Sequence, residues 1–203
     1  MAVNTSSERG AGDLGLYSKW GKRLTDIAAA LLTSVVFSPA LITIAILIRI
    51  LDHGPAIFSQ ERIGRQGRPF RLFKFRTMPV GTKNLPSDQL GKVQLTWFSR
   101  FLRRSNLDEL PQLFNILKGD MSIVGPRPSI ATQTELIAMR HANGALQVRP
   151  GLTGLAQVSS YNGMPVPEKA ALDGRYASCI TLIGDLAIIA RTFVYITKPP
   201  PVY

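Results

Sequence analysis

Asp108 and Glu109 stand side by side in RRSNLDELPQLFNIL, residues 103–117, directly after Arg103 and Arg104. Two adjacent carboxylates admit two kinds of role. As structure, Asp108 is a good helix N-cap, Pro111 suits a first helical turn that needs no N–H, and Glu109 complements the dipole at a helix start. As chemistry, a carboxylate among cations can bind Mg²⁺ or attack a phosphorus whose charge those cations neutralise. A helix start with arginines one turn upstream is also an anion site.

Two stiff stretches present further cations. In MSIVGPRPSI, Arg127 lies between Pro126 and Pro128, each of which restricts itself and the residue before it, so the segment is extended or turned. Arg149 opens RPGLTGLAQV, residues 149–158, a second Gly/Pro-punctuated turn before a short apolar run. Between Arg62 and Arg76 six bases face one acid, Glu61. That basic stretch has two readings, a solvated face lying on anionic lipid and a phosphate-binding surface.

The chain has 203 residues, enough for one domain or one domain with a membrane element. Its 24 Lys+Arg against 13 Asp+Glu give a formal net charge of +11, which attracts polyanions without choosing among nucleic acid, lipid head groups and phosphorylated substrates. Cys179 is the single cysteine, so no internal disulfide forms. With only His53 and His141 beside it, a usual zinc site is excluded, whereas carboxylate-bound Mg²⁺ is not.

The elements that must position these residues begin after a tail, residues 1–18, rich in small polar residues and read as mobile. Residues 19–51 form a membrane-inserted segment, with no charge from Ile27 to Ile48. Such a run is long enough to cross a bilayer as a helix. Ser38-Pro39 interrupts it, and Pro39 deprives the Val35 carbonyl of its helical partner. A kinked span and a re-entrant hairpin both fit. Composition favours the span, while bases on both flanks, Lys19, Lys22 and Arg23 before and Arg49, Arg62, Arg65 and Arg68 after, favour the hairpin. Either way residues 52–203 read as a domain on the cytoplasmic side.

Within that domain, residues 52–78 read as a short strand pair or ribbon with Arg71, Lys74 and Arg76 on one side and Leu72, Phe73 and Phe75 towards a core. Residues 79–96 read as a loop, followed by a helix from about Thr96 to Arg104. Leu110, Leu113, Phe114 and Leu117 then fall at the spacing of an amphipathic helix that Gly119 terminates. A further helix is expected from Ile130 to about His141. The stretch Cys179–Ile196 carries Asp185 and Arg191, charges too costly for a bilayer centre, so it reads as an interfacial helix that KPPPVY ends. The expected class is α+β, mainly α.

QERIGRQGRPFRLFKFRTM, SNLDELPQLFNILKGDMSIVGPRP and RPGLTGLAQV, in this order after a Ser-Pro-broken apolar run, resemble the bacterial sugar transferase family, the monotopic polyprenol-phosphate phosphoglycosyl transferases, in its short form. The resemblance implies that a UDP-sugar gives its sugar-1-phosphate to a polyprenol phosphate, such as undecaprenyl phosphate, through a phosphosugar-aspartyl intermediate. It implies Asp108 as nucleophile and Mg²⁺ ligand, Glu109 as its partner, and Lys74, Arg76, Arg103, Arg127 and Arg149 as cations for the phosphates or the nucleotide. It also implies a re-entrant helix broken at Ser38 and Pro39, a place on the cytoplasmic face of the bacterial inner membrane against anionic lipid, and a first step in exopolysaccharide or lipopolysaccharide assembly. A homo-oligomer stays open. Leu155-Ala156-Gln157 departs from the family's common Trp-Ala-Gln, and Ser159-Ser160 from its common Asn-Gly. These changes bear on sugar choice and membrane seating, not on the acid pair.

Two other functions compete with this one. A non-catalytic membrane scaffold in a polysaccharide assembly complex would call for an altered acid pair, and the pair is intact. A nucleic-acid binder draws only on net charge, with no recognised motif, so nucleic acid is not an expected partner.

Overall fold

A computed structural model describes residues 17–51, 53–79, 95–159 and 164–196. Most of the expected tail, most of the expected 79–96 loop and the last residues lie outside that range.

The apolar run forms two helices, α1 (Lys22–Val36) and α2 (Ser38–Leu51), bent by 63° at the Ser-Pro break. The carbonyl that Pro39 leaves without a helical donor is not left empty. Ser38 Oγ donates to the Val35 carbonyl at 2.8 Å, so the bend needs no outside partner at that point. No single described helix is long and apolar enough to cross a membrane, but this bent pair passes on length and composition. Before α1, a π-helical turn over Tyr17–Gly21 belongs to the fold, and Tyr17 Oη donates to Asp185 at 2.8 Å. Tyr17 and Ser18, which read as part of the tail, therefore belong to the fold.

Strands β1 (Ile57–Ile63) and β2 (Pro69–Phe75) pair antiparallel, with Ile57 opposite Phe75 and Ile63 opposite Pro69. The strand pair matches expectation, but its facing does not. Successive side chains alternate across a strand, so Lys74 shares a face with buried Leu72 and not with exposed Arg71. Helix α3 (Trp97–Arg104) starts at Thr96, whose Oγ1 accepts from the Ser99 amide at 3.1 Å. A 3₁₀ turn over Leu107–Glu109 precedes α4 (Gln112–Lys118). Gly119, at φ +101°, closes α4 as expected.

Strand β3 (Ser122–Val124) pairs in parallel with β4 (Gly151–Thr153), a pairing that two short turn-rich segments did not announce. It brings GPRP against RPGLTG. A Cβ at Gly125 or Gly151 would overlap backbone atoms of the other segment, so glycine is what permits the approach. The remaining helices are α5 (Thr134–Ala142), α6 (Leu155–Val158), α7 (Val166–Ser178) and α8 (Leu182–Ile196).

Both arms of the bent pair pack on β2. Ala30 of α1 joins Leu72, Leu113, Ile116 and Met121 in one core cluster. Ile44 and Ile48 of α2 join Phe75, Phe98 and Leu102 in another. A third cluster, Val124, Tyr176 and Ile188, seats α7 and α8 on β3. The domain is mainly helical α+β, with Lys74 on the one strand both arms share.

Flanking bases that read as membrane-sidedness signals are partly structural. Lys22 Nζ lies 2.8 Å from Asp185 Oδ2 and 3.8 Å from Asp26. Asp185 is buried and also accepts from Tyr176 Oη at 2.9 Å, so its charge is satisfied inside the protein. Arg23 donates to the carbonyls of Ile116 and Leu117 at 2.7 and 3.0 Å, at the negative end of α4.

Candidate active site

Asp108 does not cap a helix. It sits in the 3₁₀ turn, Asn106 precedes that turn in the left-handed region at φ 54°, and α4 begins only at Gln112 with no side-chain cap. No described group donates a hydrogen bond to its carboxylate, although Asp108 is only 8 % exposed. A buried carboxylate without donors is poorly solvated in its charged form. Burial accordingly pushes the Asp108 pKa up to about 6; Lys74, Arg103 and Arg127 pull it down, and Glu109 adds to the rise.

Glu109 has the opposite surroundings. Its Oε1 accepts from Lys74 Nζ at 2.6 Å and from an Arg127 guanidinium N–H at 2.8 Å. Burial alone would raise its pKa, but Arg127 and Lys74 outweigh that and hold it well below the usual carboxylate range. Lys74 is itself lowered, by burial first, with Glu109 opposing. One acid is thus locked in an ion-pair cluster, and its neighbour carries a carboxylate that titrates near neutral pH. Environments that push two acids apart in this way assign them different work.

The elements that build this cluster meet through Asn115, which is fully buried. Its side-chain oxygen accepts from the Phe73 amide at 3.0 Å, and its Nδ2 donates to the Arg71 carbonyl at 2.7 Å. The α4 side chain therefore pairs with the free edge of β2 and sets Lys74 opposite the turn that carries the acids. Periodicity had placed Phe114 on the buried stripe. It is 60 % exposed beside Phe73 instead, because the inward position is used by a residue that can satisfy strand backbone.

Of the cations read from sequence, the structure brings Lys74, Arg103 and Arg127 to Asp108. Arg76 and Arg149 are placed elsewhere. Arg76 Nε donates to the Pro55 carbonyl at 3.0 Å, at the base of the hairpin. Arg149 Nε donates to the Gly119 carbonyl at 3.0 Å, beside Arg23 at the far end of α4. Two cations that sequence reading left unassigned complete the cluster. Arg62 faces Arg127 and Glu109 and donates to the Pro128 carbonyl at 3.4 Å; burial, then Arg127, lowers it to about 10. Lys169 of α7 faces Arg127 and Arg140, and burial, then those two charges, lowers it. Arg62 belonged to a basic run and was legible as such; Lys169 was given no role.

The described residues hold no group of three or more His, Cys, Asp or Glu suited to a metal. The donor set at Asp108 is one oxygen ligand group, which fits Mg²⁺ in its common mode, with substrate phosphates and water filling the other positions.

A carboxylate with no described donor, faced by Lys74, Arg103 and Arg127, suits chemistry on phosphate esters. The chain belongs to the bacterial sugar transferase family, whose profile matches residues 17–199. It is 39 % identical over 180 residues to a UDP-glucose:undecaprenyl-phosphate glucose-1-phosphate transferase of Caulobacter vibrioides, covering 84 % of this chain and 67 % of that protein. It is 35 % identical over 195 residues to an undecaprenyl-phosphate galactose phosphotransferase of Salmonella typhimurium, covering 86 % of this chain and 40 % of that one. Against the uncharacterized sugar transferase EpsL of Bacillus subtilis it is 40 % identical over 179 residues, covering 84 % of both. The chain thus spans less than half the length of the Salmonella relative and most of the Bacillus one.

Proposed function

We propose that the protein transfers a sugar-1-phosphate from a UDP-sugar to a polyprenol phosphate of the undecaprenyl type, releasing UMP and a polyprenyl diphosphate sugar. The observation that carries this reading is the contrast between the paired acids: Glu109 is consumed by Lys74 and Arg127, while no described donor engages Asp108. The activities named for the Caulobacter and Salmonella relatives support the substrate classes.

In the first step an Asp108 oxygen forms a bond to the phosphorus next to the sugar. The bond from that phosphorus to the bridging oxygen breaks, and UMP leaves with the bridging oxygen and its electron pair. In the second step an oxygen of the polyprenol phosphate bonds to the same phosphorus, the aspartyl oxygen departs, and the carboxylate is restored. Both steps bring anions to an anion, which Lys74, Arg103 and Arg127 make favourable at short range. Glu109 keeps Lys74 and Arg127 in place between turnovers. Mg²⁺ bound by Asp108 together with the substrate diphosphate would screen the phosphoryl charge.

The bent α1–α2 pair enters the cytoplasmic face of the bacterial inner membrane and returns to it. Leu32, Val35 and Val36 of α1 and Ile42, Ile46 and Ile50 of α2 are exposed apolar side chains that a lipid phase would cover. Exposed Ile183, Leu186, Phe193 and Val194 suit α8 to lie along the interface. The product begins a surface glycan pathway.

The test is UMP release by purified protein with Mg²⁺, undecaprenyl phosphate and a panel of UDP-sugars. At least one sugar should support turnover and Asp108→Asn should abolish it. No release from any sugar, or full activity in Asp108→Asn, sinks the reading.

A further inference from the structure

Pro126 and Pro128 have no N–H, so the loop that carries Arg127 is held chiefly through its carbonyls. Four in succession accept from four different places. The Pro126 carbonyl accepts from the Gly151 amide at 2.9 Å and the Ser129 carbonyl from the Ile63 amide at 2.8 Å. The Pro128 carbonyl accepts from Arg62 at 3.4 Å, and that of Arg127 from Arg140 Nη1 at 2.9 Å. Arg140 is unlike the other donors because it is a guanidinium buried to 2 % exposure, whereas Arg62 is only half-buried. Its Nε and Nη2 both donate to Asp173 Oδ2, at 2.8 and 2.6 Å, and Asp173 is 1 % exposed.

A buried ion pair is weak support for a fold, since apolar replacement of both partners is often neutral or stabilising. What this pair does supply is a fixed donor to the backbone carbonyl of Arg127, the cation that pairs with Glu109. Resting on the functional reading above, we propose that Arg140, oriented by Asp173, is a positioning residue: it fixes the backbone from which the Arg127 guanidinium reaches Glu109 and the reacting phosphates. The connection runs Asp173, Arg140, Arg127, Glu109, across 33 residues between its first two members. A misplacement of about 1 Å in such a group costs on the order of 100-fold in rate.

The decisive variant is Arg140→Met/Asp173→Leu, which removes both buried charges and strands neither. It should melt near the wild type, lose about 100-fold in kcat with KM for the UDP-sugar changed less than about threefold, and take up deuterium faster over residues 125–130. A folded double variant with wild-type kcat and wild-type uptake overturns the proposal. Arg140→Lys decides the matter if the double variant does not fold, because one ammonium nitrogen replaces three separated N–H donors. It should lower kcat in the parent protein and lower it no further in Arg127→Gln, since its effect passes through Arg127; independent, multiplying losses overturn the proposal. If wild-type protein releases no UMP, the functional reading fails, and deuterium uptake alone decides the positioning.

Discussion

Lys74 Nζ lies 2.6 Å from Glu109 Oε1, and this contact joins the strand shared by both arms of the bent helix pair to the turn that carries the acids. It helps keep Glu109 charged, while burial leaves Asp108 with a carboxylate that titrates near neutrality despite Lys74.

The rate should therefore depend on pH through Asp108. As a nucleophile it acts only when deprotonated, so kcat/KM for UMP release should rise with pH through a limb near 6, the value set by its burial. Lys74 and Arg127 lower that pKa, so Lys74→Met and Arg127→Gln should each move the limb upward as well as reduce the plateau. Profiles from pH 5 to 8.5 check both signs.

The same shift has a cost in stability. A carboxyl whose folded pKa is raised from 3.8 to about 6 favours folding below pH 3.8, and that contribution is lost as pH rises through about 6. With Asp108 only 8 % exposed, the loss amounts to about 3 kcal/mol at pH 8. Asp108→Asn should raise Tm at pH 8 and give no gain at pH 4, a trade of stability for reactivity common at active sites. Urea or thermal melts at the two pH values measure it.

Asn115 should be worth more than its size. Asn115→Leu leaves the Phe73 amide and the Arg71 carbonyl without their side-chain partners, at about 2–4 kcal/mol for two groups. It should also lower kcat, because β2 then no longer holds Lys74 against the acid turn. Chemical denaturation and UMP release, run on one preparation, test the pairing of the two losses.

How much of this was open to reading from the chain alone follows from the range of each interaction. The strand pair, the Thr96 start and the Gly119 stop were legible because alternation, capping and left-handed glycine act over a few residues. Of the two roles open to Asp108, the cap fails because Asn106, with a positive φ, starts a 3₁₀ turn ahead of the helix. Asn115 was missed because periodicity counts apolar residues and does not register an amide placed on a strand edge. Arg149 stands at the C-terminal end of α4, where it serves a helix terminus. Lys169, Arg140 and Asp173 meet the site only through tertiary packing, over separations that no spacing rule covers.

The topology makes a separate prediction. In a Cys179→Ser background, which removes the exposed native thiol, single cysteines at Ser6 and Thr82 should both be labelled from the cytoplasmic side of inverted vesicles and protected in right-side-out ones. Opposite sidedness would show that α1 and α2 together cross the membrane.

The central claim is that Asp108 carries the sugar phosphate covalently, and it is tested by trapping that species. Protein incubated with Mg²⁺ and a turnover-competent UDP-sugar, without polyprenol phosphate, should release close to one equivalent of UMP and gain the mass of one sugar phosphate on the peptide that contains Asp108. Added polyprenol phosphate should then discharge it. An enzyme that turns over with lipid present, yet without lipid neither releases UMP nor gains mass at Asp108, would contradict the account.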